Sequence, residues 1–456
     1  MLRRTFLPSL AALPSAALAQ RTLGFTSFSD APRSECGTGA LMPWADALWV
    51  VTYNSHKQAT GRGLGLFRID ENKKVERLHL HDGTHANRLL HKESKQCFIG
   101  PYAIDAQGNW KYIPALGDNH RLTSTFRHLK DPANLVYVQT MEGLLFELDV
   151  NTLKTTLAFD LTKQFNIKAR PHFKGGFAGQ GRIAVTNNGF YAYGDNEAGL
   201  FEYDGATWRA LSRKPHMDVA ARQDMHNVLF ATGWDESSVL FWACIKGKWN
   251  RYRLPKASHA FEHAWQTEWM RIREVETEHF LMDIQGMFYE LQPMAFEDSI
   301  WGVKPICQHL RIVPDFCSFR GELVLGGNQN SPNNDNNALG GQPSVGLWFG
   351  VTDDLWQFGK PQGWGGPWRK TPVPAGTVSD PFLMTGFDRK MLHLLSSSTT
   401  TIEIEIDFLG NGTWAKYEKL DFNGYAKHIF PEGFSAHWVR LRNLNATTLT
   451  AEFIYT

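Results

Sequence analysis

Along this chain, short apolar runs of Val, Ile, Leu, Phe, Tyr and Trp alternate with turns rich in Gly, Asn and Asp. Almost nowhere do apolar residues recur at the three- and four-residue intervals of an amphipathic helix, so the pattern predicts strand after strand. Segments 47–53, 239–243 and 402–408 are typical strands. Segments 135–139 with 144–148, and 280–284 with 287–291, each predict a hairpin across a short polar turn.

A larger unit recurs above this alternation, in which a polar segment leads into a strand and a hairpin follows. Strand starts near Trp44, His85, Thr125, Gln180, His226, Glu268, Asp315 and Pro381 are separated by about 40–65 residues, close to the repeat of four-stranded propeller blades. The stretches Gly205-Ala206-Thr207-Trp208, Gly247-Lys248-Trp249 and Gly412-Thr413-Trp414 share a turn that delivers a Trp into an outer strand. The expected fold is all-β, a seven- or eight-bladed β-propeller over 20–430. The remaining 431–456 would close the ring or form a small appended sandwich. Segment 328–342, rich in Asn, Gly, Pro and Ser, is expected to be an exposed loop.

Composition narrows the setting. Arg3 and Arg4 precede a weakly apolar run over 6–18 and the A-x-A pattern Ala17-Leu18-Ala19, which predicts a cleaved leader over 1–19 and a periplasmic or secreted mature protein. Arg3-Arg4-Thr5-Phe6-Leu7 also resembles a twin-arginine export signal, and a plain secretory leader fits as well. No later stretch reaches the roughly 18 uninterrupted apolar residues of a membrane helix. Lys and Arg number 47 against 46 Asp and Glu, so no net field draws a polyanion and a nucleic-acid role is disfavoured. The five cysteines form no C-x-x-C pair; Cys97 and Cys244 read as buried small hydrophobes, and a Cys307–Cys317 disulfide is left open. Oligomeric state is not legible.

Candidate chemistry gathers at the predicted strand starts, which in a propeller converge at the mouth of a central channel. His and Arg are frequent there, in Asp82-Gly83-Thr84-His85-Ala86-Asn87-Arg88, at Arg127-His128, from His172 to Arg182, and in Trp265-Gln266-Thr267-Glu268-Trp269-Met270-Arg271. Arg pairs bidentately with a carboxylate, and His exchanges protons near neutral pH, which together suit a uronic acid. On that reading His85 and His128 are the catalytic base and acid. Arg88, Arg127 and Arg182 bind the carboxylate, Trp265 stacks on a sugar face, and His172, Glu268 and Arg271 complete the substrate site. Each has a bland alternative: a His at a strand start often only hydrogen-bonds a neighbouring blade, and Arg182 or Arg271 would equally pair with acidic residues between blades. Gly175-Gly176 and Gly179 to Gly181 are expected to be turn or close-packing positions, because no helix pattern follows to complete a phosphate loop. No cofactor is implied. Clustered histidines leave a metal ion near the channel open, although His81 and His85 would share a face only on a helix, which Gly83 opposes. The stretch Gly363-Trp364-Gly365-Gly366-Pro367-Trp368 fits either an aromatic rim for sugars or a packed loop.

Segments 82–88 and 175–182, with Gly233-Trp234-Asp235, resemble a group of exported bacterial propeller proteins, over most of the chain to about Phe408. That group is similar in architecture to propeller polysaccharide lyases acting on ulvan or rhamnose-capped glucuronides, and to propeller α-L-rhamnosidases. The resemblance implies His, Tyr and Arg around the channel mouth; Phe177 stands where a Tyr would be expected. The expected function is therefore an exported carbohydrate-active enzyme, a lyase cleaving uronate-containing glycan by β-elimination, with an oligo- or polysaccharide as its partner. The alternatives are a glycoside hydrolase, for which Glu268 and Asp315 are the best carboxylate pair, and a non-catalytic glycan- or protein-binding propeller.

Overall fold

The structure, a computed structural model, describes residues 26–27, 36–54, 65–81, 87–169, 171–189, 197–222, 228–257, 269–276, 278–296, 298–329 and 345–456. The expected leader over 1–19 lies outside them, as do His85, Trp265, Glu268 and most of the 328–342 loop. The fold is all-β, with several antiparallel sheets of four strands and two longer sheets in which such units are joined. Among the described residues no helix is long and apolar enough to cross a membrane.

Among the described residues, seven four-stranded units follow one another, beginning with the strands Cys36–Trp44, Arg88–His91, Leu122–Arg127, Phe173–Gly179, His216–Ala220, Arg271–Glu276 and Phe316–Phe319. The first six are meanders of four consecutive strands. The seventh takes Phe316–Phe319, Glu322–Gln329 and Val345–Gly350, and its fourth strand is Thr26–Ser27 from the start of the chain. Their first strands touch in chain order, and that of the seventh unit also touches that of the first.

Alternation explains the packing. A strand buried on both faces reads as a continuous apolar run, as in Val228–Trp234 and Val239–Ile245, every residue of which is buried. Each neighbouring pair of units shares its own apolar cluster: Trp49 with Ile99 between the first and second, Leu281 with Phe316 between the sixth and seventh, Val50 with Val324 between the seventh and first. Gly175 and Gly176 are close-packing positions, as expected. A Cβ on Gly175 would lie 2.8 Å from the Asp218 Cα on the next first strand, and one on Gly176 would lie 2.5 Å from the Phe126 ring.

The C-terminal strands form two further sheets rather than another meander. Gly363–Val373, Thr447–Tyr455, Lys390–Ser396 and Tyr425–Ile429 make one, in that order. The other runs Phe382–Leu383, Trp438–Asn443, Thr400–Asp407, Ala415–Phe422, and its first strand pairs in parallel with Lys248–Leu254, so it continues the fifth unit's sheet. The two sheets face one another through Leu392, Ile404, Leu441 and Phe453, in a core that also takes in the fifth and sixth units. The start predicted near Pro381 therefore belongs to this unit. Trp364 and Trp368 are buried on a strand, so that stretch is packed and is not a solvent-facing rim. Cys307 and Cys317 are buried free thiols, which closes the disulfide left open above; Cys97 and Cys244 are buried thiols too, as expected.

Candidate functional site

A cavity of about 560 Å³ is lined by the first strands of the second to sixth units, with Met42 from the first. Side chains two apart on a strand point the same way, so Arg271 and Arg273 reach one side of Arg271–Glu276 together. Both line the cavity, as do Arg88, Arg127, Lys174 and Asp218.

The charges are organised around a fully buried carboxylate, Asp315. Its Oδ2 accepts the Leu41 amide at 2.8 Å and lies 2.8 Å from Arg88 Nε, while Oδ1 accepts from Arg273 Nε at 2.7 Å. Burial pushes this carboxyl's pKa up; Arg88 and Arg273 reverse that and hold it below the usual carboxylate range. Arg273 Nη1 donates onward to Asp218 Oδ2 at 3.1 Å, which also accepts the Ile272 amide. Arg88, Asp315, Arg273 and Asp218 thus form an unbroken line of alternating charge.

Arg271 stands beside that line without joining it. It is 2% exposed, and its guanidinium donates to two backbone carbonyls, Nε to Pro314 at 2.8 Å and Nη1 to Met270 at 2.6 Å. No carboxylate among the described residues pairs with it. Burial pulls its pKa down, the Asp218 and Asp315 charges oppose that, and the Arg273 charge adds to it; the net direction is down. Tyr53 also interacts electrostatically with Arg271 and packs against Trp269 with ring centres 5.1 Å apart. Lys174 Nζ lies 5.9 Å from the same indole.

The other residues predicted from sequence fall in different places. Arg127 lines the cavity but grips Glu93 with both Nη atoms, and this pairing lowers the Glu93 pKa to about 2. His128 lines an adjoining hollow of about 410 Å³. Its Nδ1 accepts the Asp131 amide at 2.8 Å, so in the neutral ring Nε2–H donates to Glu147 at 3.1 Å, and the ring packs on Tyr137. Arg182 is bound into a separate clamp: it pairs with buried Glu202, which also takes Arg209 and, at 3.0 Å, the Trp249 indole N–H. The His172 backbone amide donates to Asn187, just ahead of Phe173–Gly179. Three of the predicted residues, Arg88, Arg127 and Arg271, therefore meet at one cavity.

Sequence reasoning assigned no role to Arg273, Lys174, Asp218 or Tyr53. The spacing Arg271-Ile272-Arg273 was the available signal, since two guanidiniums on one face of a strand imply an anionic partner. Among the described residues, no three His, Cys, Asp or Glu side chains gather as they would to hold a metal ion. No protein-family model matches this chain, and no curated protein sequence matches it.

Proposed function

We propose that the seven units are the blades of one propeller, with the paired C-terminal sheets a sandwich fused to it. We further propose that the protein is exported and that its central cavity binds a uronate-bearing glycan, which it cleaves by β-elimination. The ring of first-strand contacts and the closing strand Thr26–Ser27 support the architecture. The leader pattern over 1–19 supports export. One observation carries the ligand class: Arg271 is a buried cation that lines a cavity and, among the described residues, donates only to carbonyls. A ligand carboxylate there would supply the countercharge that no described residue supplies directly.

The chemistry follows from that placement. A base takes the proton on C5 of the uronate, its electrons form the C4–C5 double bond, and the C4–O bond breaks as an acid protonates the departing oxygen. Negative charge grows on the carboxylate as the C5 proton leaves, so Arg271 would hold the transition state more tightly than the ground state. His85 and His128 are the base and acid suggested by the sequence, His85 outside the described residues and His128 in the adjoining hollow. A second reading, a non-catalytic binder of acidic glycans, is favoured by one fact: the described lining of the cavity includes no His or Tyr side chain. Asp315 suits the hydrolase alternative poorly, because Arg88 and Arg273 keep it ionised and occupied.

The test is ultraviolet absorbance during incubation of the mature protein with glucuronate-bearing glycans. Elimination predicts a rise from the unsaturated product, lost by on the order of 100-fold or more in Arg271→Met. A flat trace with ligand-induced thermal stabilisation moves the reading to the binder, and new reducing ends without absorbance to the hydrolase. With none of these responses, the acidic-glycan assignment fails.

A further inference from the structure

The outer face of the first C-terminal sheet carries an apolar patch crossed by a row of charge. Its three neighbouring strands are Tyr425–Ile429, Lys390–Ser396 and Thr447–Tyr455. Leu392, Leu394, Ala451 and Phe453 point into the core, which leaves the alternate positions outward. Cross-strand register orders these in three rows: Tyr425, Leu395, Thr450; then Lys427, His393, Glu452; then Ile429, Met391, Ile454. Tyr425 is 58% exposed, Leu395 53%, Ile429 57% and Ile454 38%. An antiparallel sheet facing water ordinarily turns polar residues outward, so this grouping calls for a covering surface.

We infer that this face is an interface between two copies of the chain, related by a twofold axis that lies in the interface, parallel to Lys390–Ser396 and passing over His393. A twofold interface must be complementary to itself, and this pattern is. Rotation by half a turn about that axis sets Lys427 of each copy opposite Glu452 of the other, twice. It also sets Ile429 over Ile454, and Leu395 and Met391 each over its own counterpart, apolar on apolar. Among the described residues Glu452 pairs only with Arg369, at 3.5 Å and near the surface, so it is available to a second cation. Three strands of five residues cover roughly 250 Å² at standard sheet spacings, well below the ~800 Å² per partner of a standard interface. Association is therefore weak, with a Kd on the order of 10–500 µM.

Sedimentation velocity over a concentration series up to roughly 1 mM tests this, because it spans the expected Kd. Wild type should pass from monomer to dimer. Lys427→Glu and Glu452→Lys should each weaken dimerisation at least tenfold, since each places like charges opposite one another twice. Mixed in equal amounts, the two variants should form a heterodimer at near wild-type affinity, because both facing pairs are again of opposite sign. Circular dichroism and unfolding temperature verify each fold; should a variant fail to fold, Leu395→Lys at a solvent-facing position supplies the same disruption. A monomeric wild type across the series overturns the inference, as do single variants that dimerise normally or a mixture that stays monomeric.

Discussion

Two arginines eighteen residues apart in sequence, Arg253 and Arg271, are both almost wholly buried and titrate in opposite directions. Arg253, on the last strand of the fifth unit, lies where that sheet continues into the C-terminal one. Its Nη2 lies 2.9 Å from Asp235, its Nε donates to Asp380 at 2.9 Å, and its Nη1 donates to the Ser238 hydroxyl at 2.7 Å. Burial pulls its pKa down, but those two carboxylates more than reverse it. Arg271 receives only carbonyl oxygens and ends below its ordinary value. Burial alone therefore does not separate a structural cation from one poised for a ligand. What separates them is whether the countercharge belongs to the same chain.

The sharpest way to break this comparison is to remove each guanidinium and measure unfolding in denaturant. Arg253→Met should destabilise by roughly 3–5 kcal/mol, because Asp235 stays buried without its partner. A loss under about 1 kcal/mol would show that the junction does not depend on this pair. The next largest effect concerns His216, which opens the same fifth unit and which burial holds at a pKa of about 4. The unfolded chain takes up this proton near pH 6.5 and the folded one only near 4, so the stabilisation is complete above 6.5 and declines as pH falls toward 4. The total decline should reach about 3 kcal/mol, and a His216→Phe variant should lack that part of the slope in denaturation curves taken from pH 7 to 4.

Smaller again, Gly175→Ala would bring a methyl against the backbone of Asp218 and Val219. It should cost about 1–3 kcal/mol and weaken uronate binding by titration calorimetry, as the first strands part beside Arg271. The smallest stability change belongs to Arg271→Met, within about 1 kcal/mol of wild type, since no carboxylate is orphaned. The same variant should lose the rise in unfolding temperature that a uronate ligand gives wild type. A destabilisation as large as that of Arg253→Met would make Arg271 another structural cation.

The strands themselves were legible wherever both faces are buried. Segments 239–243 and 287–291 lie within Val239–Ile245 and coincide with Met287–Leu291, and the predicted 402–408 falls one residue beyond Thr400–Asp407. Unit boundaries were displaced for a physical reason. First strands that border the cavity must carry polar or small residues, as in His216–Ala220 and Phe173–Gly179, so the apolar signal rises only at the second strand. Starts expected near Trp44 and Gln180 accordingly fall at the end of a first strand or just beyond one, and that near His226 lies outside the described residues. The Trp repeat mixed two origins: Trp208 and Trp249 sit on fourth strands of the fourth and fifth units, while Trp414 precedes Ala415–Phe422 in the C-terminal part. Nor does local pattern reveal that Gly363–Val373 pairs with Thr447–Tyr455 across more than seventy intervening residues. Of the candidate arginines, Arg88 and Arg271 line the cavity, but sequence could not tell them from Arg182 or His128, because which Arg finds a Glu, as Arg182 finds Glu202, is decided by neighbours distant along the chain.

The parallel pairing of Phe382 beside Arg253 has a consequence for how such a chain can be divided or inherited. A protein ending near residue 360 would leave Lys248–Leu254 as a bare sheet edge, next to an apolar wall that Trp438 and Phe453 normally cover. Such a fragment would be recovered as aggregate. The C-terminal part is thus no cassette that recombination could append or delete at will, and a viable descendant must exchange it together with the strand that carries it.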